Sequence, residues 1–380
     1  MLKILTLIGA RPQFIKAAAI SRAIKNSFSD KIEEVIVHSG QHYDANMSTV
    51  FFDELGLPKP NYTFNLLAKG HSGQTAEILQ ELEKVLSEEK PNAMLVYGDT
   101  NTTLAGALAA SKNHIPLIHI EAGLRSFNKS MPEEINRIMT DHCSSLLFCP
   151  TSTAIENLQK EGIVHTNENC TIDTPKVFAC GDIMYDNSIY FSDFAKEDIL
   201  VENELTKDAY LLFTMHRPSN TDESERLRNI CKMLIRLAEK HQKVIAFPIH
   251  PRTKKAIHTH LSTQEVSAFM QHCFIKIMEP ACFTDMITLE RNCELVITDS
   301  GGVQKEAYFF EKPCLILRSE TEWIEIVEQG AAIVVDADEG KLNRGYDLFQ
   351  SKAITFPELF GNGMSAEFIC QKIIEEINSS

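Results

Sequence analysis

Short aliphatic runs alternate with helical patterns along nearly the whole chain, and this alternation restricts the possible fold more than any other feature. Ile4 to Ile8 precedes Phe14 to Ile24, Met94 to Val96 precedes Thr102 to Ala110, and Leu146 to Phe148 precedes Thr153 to Gln159. Glu34 to Val37 and Pro116 to Ile120 are further runs of the same kind. Strands apolar on both faces belong in parallel sheets covered by helices, so the expected class is α/β with doubly wound, Rossmann-like sheets. The series pauses near Val177-Phe178-Ala179-Cys180-Gly181-Asp182, after the polar segment Asn167 to Pro175. A second series then opens: Ala209 to Thr214, the helical Glu223 to Leu237, Val244 to Phe247, Phe274 to Ile277, Leu295 to Thr298, Cys314 to Leu317 and Ala332 to Val335. The expected domains are 1–180 and 181–360, followed by an amphipathic helix within 361–380 that carries Phe368, Ile369, Ile373, Ile374 and Ile377 on one side.

A chain of 380 residues exceeds the size at which single cores usually divide, in keeping with two domains. No apolar run approaches the roughly 18 residues of a membrane span. Arg11-Pro12 cuts short the one stretch at the start that could pass for a secretion signal, so Met1 to Ala10 reads as a buried first strand. The ten cysteines form no C-x-x-C pair and sit mostly in apolar stretches, as expected of reduced, packed thiols in a cytoplasm and of neither a disulfide frame nor a zinc site. With a net charge of −15 the surface should repel nucleic acid and anionic membranes. An anionic ligand therefore needs a local cationic pocket.

The residues suited to such a pocket stand where strands end. Thr298-Asp299-Ser300-Gly301-Gly302-Val303-Gln304-Lys305-Glu306 reads as strand, small-residue turn and helix start, an arrangement that favours phosphate. The same turn also suits Ser300 as a plain N-cap. Gly9-Ala10-Arg11-Pro12-Gln13-Phe14-Ile15-Lys16 offers Arg11 and Lys16 around another helix start, and Tyr97-Gly98-Asp99-Thr100 places a carboxylate after a strand. Glu121 directly follows the buried run Leu117 to Ile120, a poor structural choice unless it meets a partner or a substrate. Glu133 and Arg137 lie on a helix opened by Pro132, where an acidic first turn is also favoured by the dipole alone. In the second half, His216-Arg217 and His250-Pro251-Arg252 end strands with basic groups. Two such domains face to face would gather these ends around one cleft. No G-x-G-x-x-G follows a strand and no G-x-x-x-x-G-K-[ST] occurs, so bound-NAD hydride chemistry and P-loop ATP hydrolysis are not expected. Carboxylates in the first half and a phosphate cradle in the second suit a nucleotide sugar.

Together, Gly9-Ala10-Arg11-Pro12, Val96 to Thr100, His119 to Arg125, Pro132 to Arg137 and Thr298 to Gly302 resemble the non-hydrolysing UDP-N-acetylglucosamine 2-epimerases, in the same order from residue 4 to about 330. The resemblance implies a two-domain GT-B architecture, a C-terminal helix packed back on the first domain, a homodimer, and no cofactor or metal. It further implies that Arg11, Lys16, His216, Ser300, Gly301 and Gly302 hold a diphosphate and that Glu306 holds the uridine ribose. His250 joins the substrate-binding set. Asp99, Glu121 and Glu133 become the acid, base and cation-stabilising carboxylates, beside His216, with Arg137 orienting them. The C2 proton of the sugar is not acidified by a carbonyl, so UDP must first begin to leave C1, giving a 2-acetamidoglucal to which UDP is added back.

Gln13 stands where the family pattern has Glu, His216-Arg217-Pro218 departs from His-Arg-Arg-Glu, and Trp323 falls where Arg-Pro is usual. These variants look like the branch acting on UDP-2,3-diacetamido-2,3-dideoxyglucuronic acid. A neutral Gln13 beside Arg11 would lessen repulsion of an acidic sugar, or would serve packing. Bacterial relatives use a second UDP-sugar as activator near the segment matching Gln41-His42-Tyr43-Asp44, of which Gln41 and His42 fit the pattern. Two other readings compete, a hydrolysing epimerase that releases N-acetylmannosamine and a non-catalytic UDP-sugar sensor.

Overall fold

The computed structural model describes residues 1–41 and 55–377. His42, Tyr43 and Asp44 lie outside the described residues, whereas Gln41 Oε1 accepts from Thr102 N at 2.9 Å. The chain divides into two compact units, Met1–Asn187 with Glu358–Ser380, and Ser188–Pro357.

The first unit contains β1 (Leu2–Ile8), β2 (Ile32–His38), β3 (Tyr62–Thr63), β4 (Ala93–Tyr97), β5 (Leu117–Ile120), β6 (Leu146–Cys149) and β7 (Lys176–Ala179). They form a parallel sheet in the order β3-β2-β1-β4-β5-β6-β7. The central strand β4 is buried at every position, which is why Ala93-Met94-Leu95-Val96-Tyr97 shows no polar alternation. Lys176–Ala179, where the sequence pattern pauses, is an edge strand of this sheet and is buried only in its first half. A helix outside the expected series, His71–Glu89, places Ile78, Leu82, Val85 and Leu86 on one face against Leu5, Leu7, Met94 and Val96.

The second unit contains β8 (Tyr210–Thr214), β9 (Val244–Pro248), β10 (Ile275–Met278), β11 (Leu295–Thr298), β12 (Cys314–Ile316) and β13 (Ala332–Val334), again all parallel, in the order β10-β9-β8-β11-β12-β13. Its core joins Leu211, Phe213 and Phe247 to Leu227, Ile230, Leu234 and Leu237 of the helix Ser224–His241. Both sheets have the doubly wound Rossmann order, and the chain reverses direction between β1 and β4 and between β8 and β11. A crevice opens at the carboxyl ends of the strands at such a reversal, and candidate motifs follow β1, β4, β8 and β11, with Glu121 and His250 after the neighbouring β5 and β9.

The last helix, Ser365–Ile377, packs against the helix Arg11–Ala23 of the same unit through Ala366, Ile369, Cys370, Ile373 and Ile377. Phe368 lies off that face, partly exposed, and meets Phe178 edge-on. No described helix is long and apolar enough to cross a membrane.

Packing accounts for one departure from the family pattern. Gln13 is buried; its Oε1 accepts from Gly9 N at 2.9 Å and Ala10 N at 3.1 Å, and its Nε2 donates to Tyr97 O at 2.9 Å and Thr103 Oγ1 at 3.0 Å. The amide thus ties the end of β1 to the end of β4 across the reversal, a task that needs both an acceptor and a donor. Gln13→Glu sets a carboxylate oxygen against the Tyr97 carbonyl, and the expected cost in urea unfolding is about 1–3 kcal/mol. A variant as stable as wild type would show that this tie does not matter.

Asp186 anchors the last helix: its Oδ2 accepts from Ala366 N at 2.7 Å. Burial raises the Asp186 carboxyl to about 6, against the opposing hydrogen bonds from Ala366 and Ser365. The folded value lies above the unfolded one, so this contribution to stability is complete below about pH 4 and is lost as the pH rises through about 6. Between pH 5 and 7.5 wild type should lose about 1.4 kcal/mol more stability than Asp186→Asn, as read by denaturant melts at both pH values.

Candidate functional site

Two groups of residues form at the two chain reversals. In the first unit, β4 runs into Gly98, whose φ of +60° favours glycine, and a Cβ there would lie 3.1 Å from Glu121 Oε2 and 3.4 Å from Lys16 Nζ. The backbone leading to Asp99 therefore passes directly beside the Lys16–Glu121 ion pair, in which both side chains are largely buried. Glu121 itself has a φ of +72°, a conformation that costs a non-glycine residue about 1–2 kcal/mol.

Hydrogen bonds hold it there. Glu121 N and Ala122 N donate to Phe148 O at 3.1 and 3.0 Å. Fully buried Asp141 accepts from Gly123 N at 3.2 Å and from Arg125 Nη1 at 2.7 Å, and lies 2.7 Å from His119 Nδ1. His119 Nε2 in turn stands 2.8 Å from Gly98 O, so the loops after β4 and β5 share one brace. Burial works to raise the Asp141 carboxyl, but His119 and Arg125 outweigh it and hold it below the usual carboxylate range.

Asp99 is paired with Arg137, and Asn136 Nδ2 donates to Asp99 O at 2.8 Å. Both partners come from the helix Pro132–Cys143, one turn in from Glu133. Glu133 is exposed on the first turn. Its neighbour Glu134 is buried, reaches Arg137 Nη1 at 2.9 Å and accepts from Ser126 N and Phe127 N at 2.9 Å. Lys16, Glu121, Asp99 and Arg137 thus come together, and Arg11 stands exposed at the start of the helix that carries Lys16.

In the second unit the organiser is Asp299, fully buried after β11. Its carboxylate accepts from His216 N at 3.1 Å, Arg217 N at 3.0 Å and Asn220 Nδ2 at 3.0 Å, while its carbonyl accepts from Arg217 Nε at 3.0 Å. The turn after β8 is therefore set by a residue after β11. The His216 ring keeps 46% of its side-chain surface, and its pKa is lowered, by desolvation first and by Arg217 and Arg252, against the pull of Asp299. The His250 ring lies 5.9 Å from it, and His250 Nδ1 caps its own helix by accepting from Arg252 N at 3.1 Å.

Ser300 caps the helix Gly301–Phe309. At Gly301 a Cβ would fall 2.3 Å from Glu322 Oε1, whereas at Gly302 the nearest atom, Ser300 Oγ, is 3.8 Å away. Glu322 is held by Arg318 Nη1 at 2.6 Å, with Arg217 Nη2 3.9 Å from its other oxygen. A carboxylate already sits at this helix start, so the place accepts anionic oxygen. Glu306 lies further along the same helix, partly exposed. Trp323 is buried, with Lys305 Nζ 4.2 Å from its ring centre, so the residue that departs from Arg-Pro is part of the packing.

The positioning groups Asp141, Glu134, Asp299 and Glu322 are not among the expected site residues. One signal could have found Asp299: it is a carboxylate directly after a buried strand, the same criterion that singles out Glu121.

Comparison with known proteins places this geometry. The family described as UDP-N-acetylglucosamine 2-epimerase matches residues 24–374. A Methanococcus maripaludis protein named UDP-N-acetylglucosamine 2-epimerase homolog is 44% identical, over 100% of both chains. The UDP-2,3-diacetamido-2,3-dideoxy-D-glucuronate 2-epimerase of Pseudomonas aeruginosa is also 44% identical, over 97% of this chain and 99% of its own. Among solved structures, the UDP-GlcNAc 2-epimerase of Methanocaldococcus jannaschii, in complex with UDP-GlcNAc and UDP, superposes with a TM-score of 0.86 at 41% identity, over 98% of this chain and 100% of that one. With its two Rossmann-like α/β units, a GT-B-like fold, the chain belongs to the UDP-N-acetylglucosamine 2-epimerase family.

Proposed function

We propose that the protein inverts C2 of a UDP-N-acetylhexosamine, interconverting UDP-N-acetylglucosamine and UDP-N-acetylmannosamine. The observation that carries this reading is the division of chemistry between the chain reversals: carboxylates paired with cations at one, and a helix-start anion site ringed by basic groups at the other. Ser300, Gly301, Gly302 and His216 bind the diphosphate, with Arg11, Lys16 and His250 as further basic groups, and Glu306 accepts from the ribose. Lys16 also keeps the Glu121 carboxylate in place. Asp99, Glu121 and Glu133 share the roles of acid, base and cation stabiliser, and Arg137 orients Asp99.

As the C1–O bond breaks, its electron pair leaves with UDP and C1 gains oxocarbenium character, which acidifies C2. A carboxylate takes the C2 proton and the C1=C2 bond of the glucal forms. A proton delivered to the other face of C2, with UDP added back at C1, completes the inversion. No net oxidation occurs, so the route needs no redox cofactor. The product feeds surface polysaccharide precursors, and the enzyme works in the cytoplasm as a homodimer. Exposed Ile135 and Met139, one turn apart on the helix Pro132–Cys143, support the dimer.

A second substrate, UDP-2,3-diacetamido-2,3-dideoxyglucuronic acid, is favoured by the identity to the Pseudomonas aeruginosa relative. Gln13 and Trp323 have packing roles and do not decide between the two, so parallel turnover assays must. Incubation in heavy water with NMR detection should give deuterium at C2 with UDP retained, and free N-acetylmannosamine would sink the reading. Asp99→Asn should slow this exchange by roughly 100-fold or more; exchange at the wild-type rate would remove Asp99 from the chemistry.

A further inference from the structure

Glu290, on the helix Phe283–Asn292, is 1% exposed. Among the described residues no N–H or hydroxyl donates to either of its oxygens. Its neighbour on the adjacent helix Gly301–Phe309 is another carboxyl, that of Glu306. Two carboxyls can share a hydrogen bond only if one of them carries a proton. Glu290 is the deeper of the two, and burial, then the Glu306 charge, push its carboxyl well above the usual range. Its surroundings do not favour a charge: Cys293 and Cys314, both buried, and Tyr210, whose hydroxyl is engaged with Leu289 O at 2.6 Å.

A buried acid with one partner is a poor choice for stability, since an apolar side chain of the same length would suffer no desolvation. Its use must lie with the partner. Glu306 stands on the helix that begins at the anion turn, partly exposed, where it can accept from a ligand. We infer that Glu290 is a positioning residue: as a neutral carboxylic acid it donates its O–H to Glu306, and so fixes the rotamer in which the remaining acceptor sites of Glu306 take up the two hydroxyls of the bound ribose. The inference rests on the reading of Glu306 as the ribose acceptor. The charge stays on Glu306 and the proton on Glu290, so the ligand meets an oriented carboxylate, a stronger acceptor than a neutral group.

Calorimetric titration with UDP and with 2′,3′-dideoxy-UDP, on the full chain, tests it. Glu290→Met removes the donor and should weaken UDP binding about tenfold while leaving the dideoxy ligand unchanged. Glu290→Gln keeps an N–H donor and should bind UDP within about twofold of wild type. The Tm of Glu290→Met should hold or rise, whereas a merely structural role requires it to fall. Equal weakening for both ligands, a Gln variant as poor as Met, or full UDP affinity in Glu290→Met would each overturn the proposal. Glu306→Ala separates the two ideas. If it leaves the preference for UDP over the dideoxy ligand intact, the ribose reading of Glu306 fails; if it abolishes that preference while Glu290→Met does not, only the role of Glu290 fails.

Discussion

In each Rossmann-like unit one buried aspartate braces a loop that leaves the carboxyl end of a strand. Asp299, leaving β11, accepts from the backbone of the turn that leaves β8, and Asp141, from a helix, accepts from the loop that leaves β5. Hydrogen bonds to a charged acceptor are about twice as strong as neutral ones, and a buried charge stripped of them is very costly. These loops are therefore held by interactions that cannot be given up singly. That matters because such loops lie beyond the regular ladder of the sheet, where little else would fix the direction of Glu121 or His216.

The rigidity has a local cost that the braces offset. Glu121 sits in a backbone conformation disfavoured by about 1–2 kcal/mol for a residue with a Cβ. The Phe148 carbonyl, Gly123 N and the His119–Asp141–Arg125 chain surround it, and together they exceed that cost. The strain also aims the side chain: it turns the Glu121 carboxylate toward Lys16, next to the glycine that precedes Asp99. In a chain of net charge −15, cations placed against carboxylates this way keep two acidic groups close together without mutual repulsion.

The sheets were largely legible because a strand buried on both faces has to be mostly apolar, and β1, β4, β8 and β11 are. What escaped was set by partners distant in sequence. Lys176–Ala179 pairs at an edge and needs less burial, so its signal is weak, and the helix His71–Glu89 carries its apolar face in spaced residues and no continuous run. Nothing in Pro132-Glu133-Glu134 tells which glutamate is buried; the Ser126 and Phe127 amides decide it. Gln13 reads equally as an electrostatic variant or as a packing residue until Tyr97 O appears beside its amide. Glu121 was singled out because a carboxylate directly after a buried strand is costly without a use, and Asp299 met the same criterion while serving to shape the loop.

Glu322 sharpens what the anion turn can do. Its oxygen occupies the space beside Gly301, and Arg318 and Arg217 flank it, so the helix start has an internal anion of single charge. On the proposed reading, a diphosphate, which brings more charge and more acceptors than a carboxylate, would take the place of Glu322 beside the helix start and Arg217. Gly301 offers no side chain to bar the Glu322 carboxylate from this place, and Arg318 keeps it there. With Glu322 in place the turn is not an uncompensated positive site, and on the proposed reading the free energy of ligand binding would be the difference between two anions, not the full attraction of one. Such a difference favours a grip that is firm enough to keep the leaving group and still reversible.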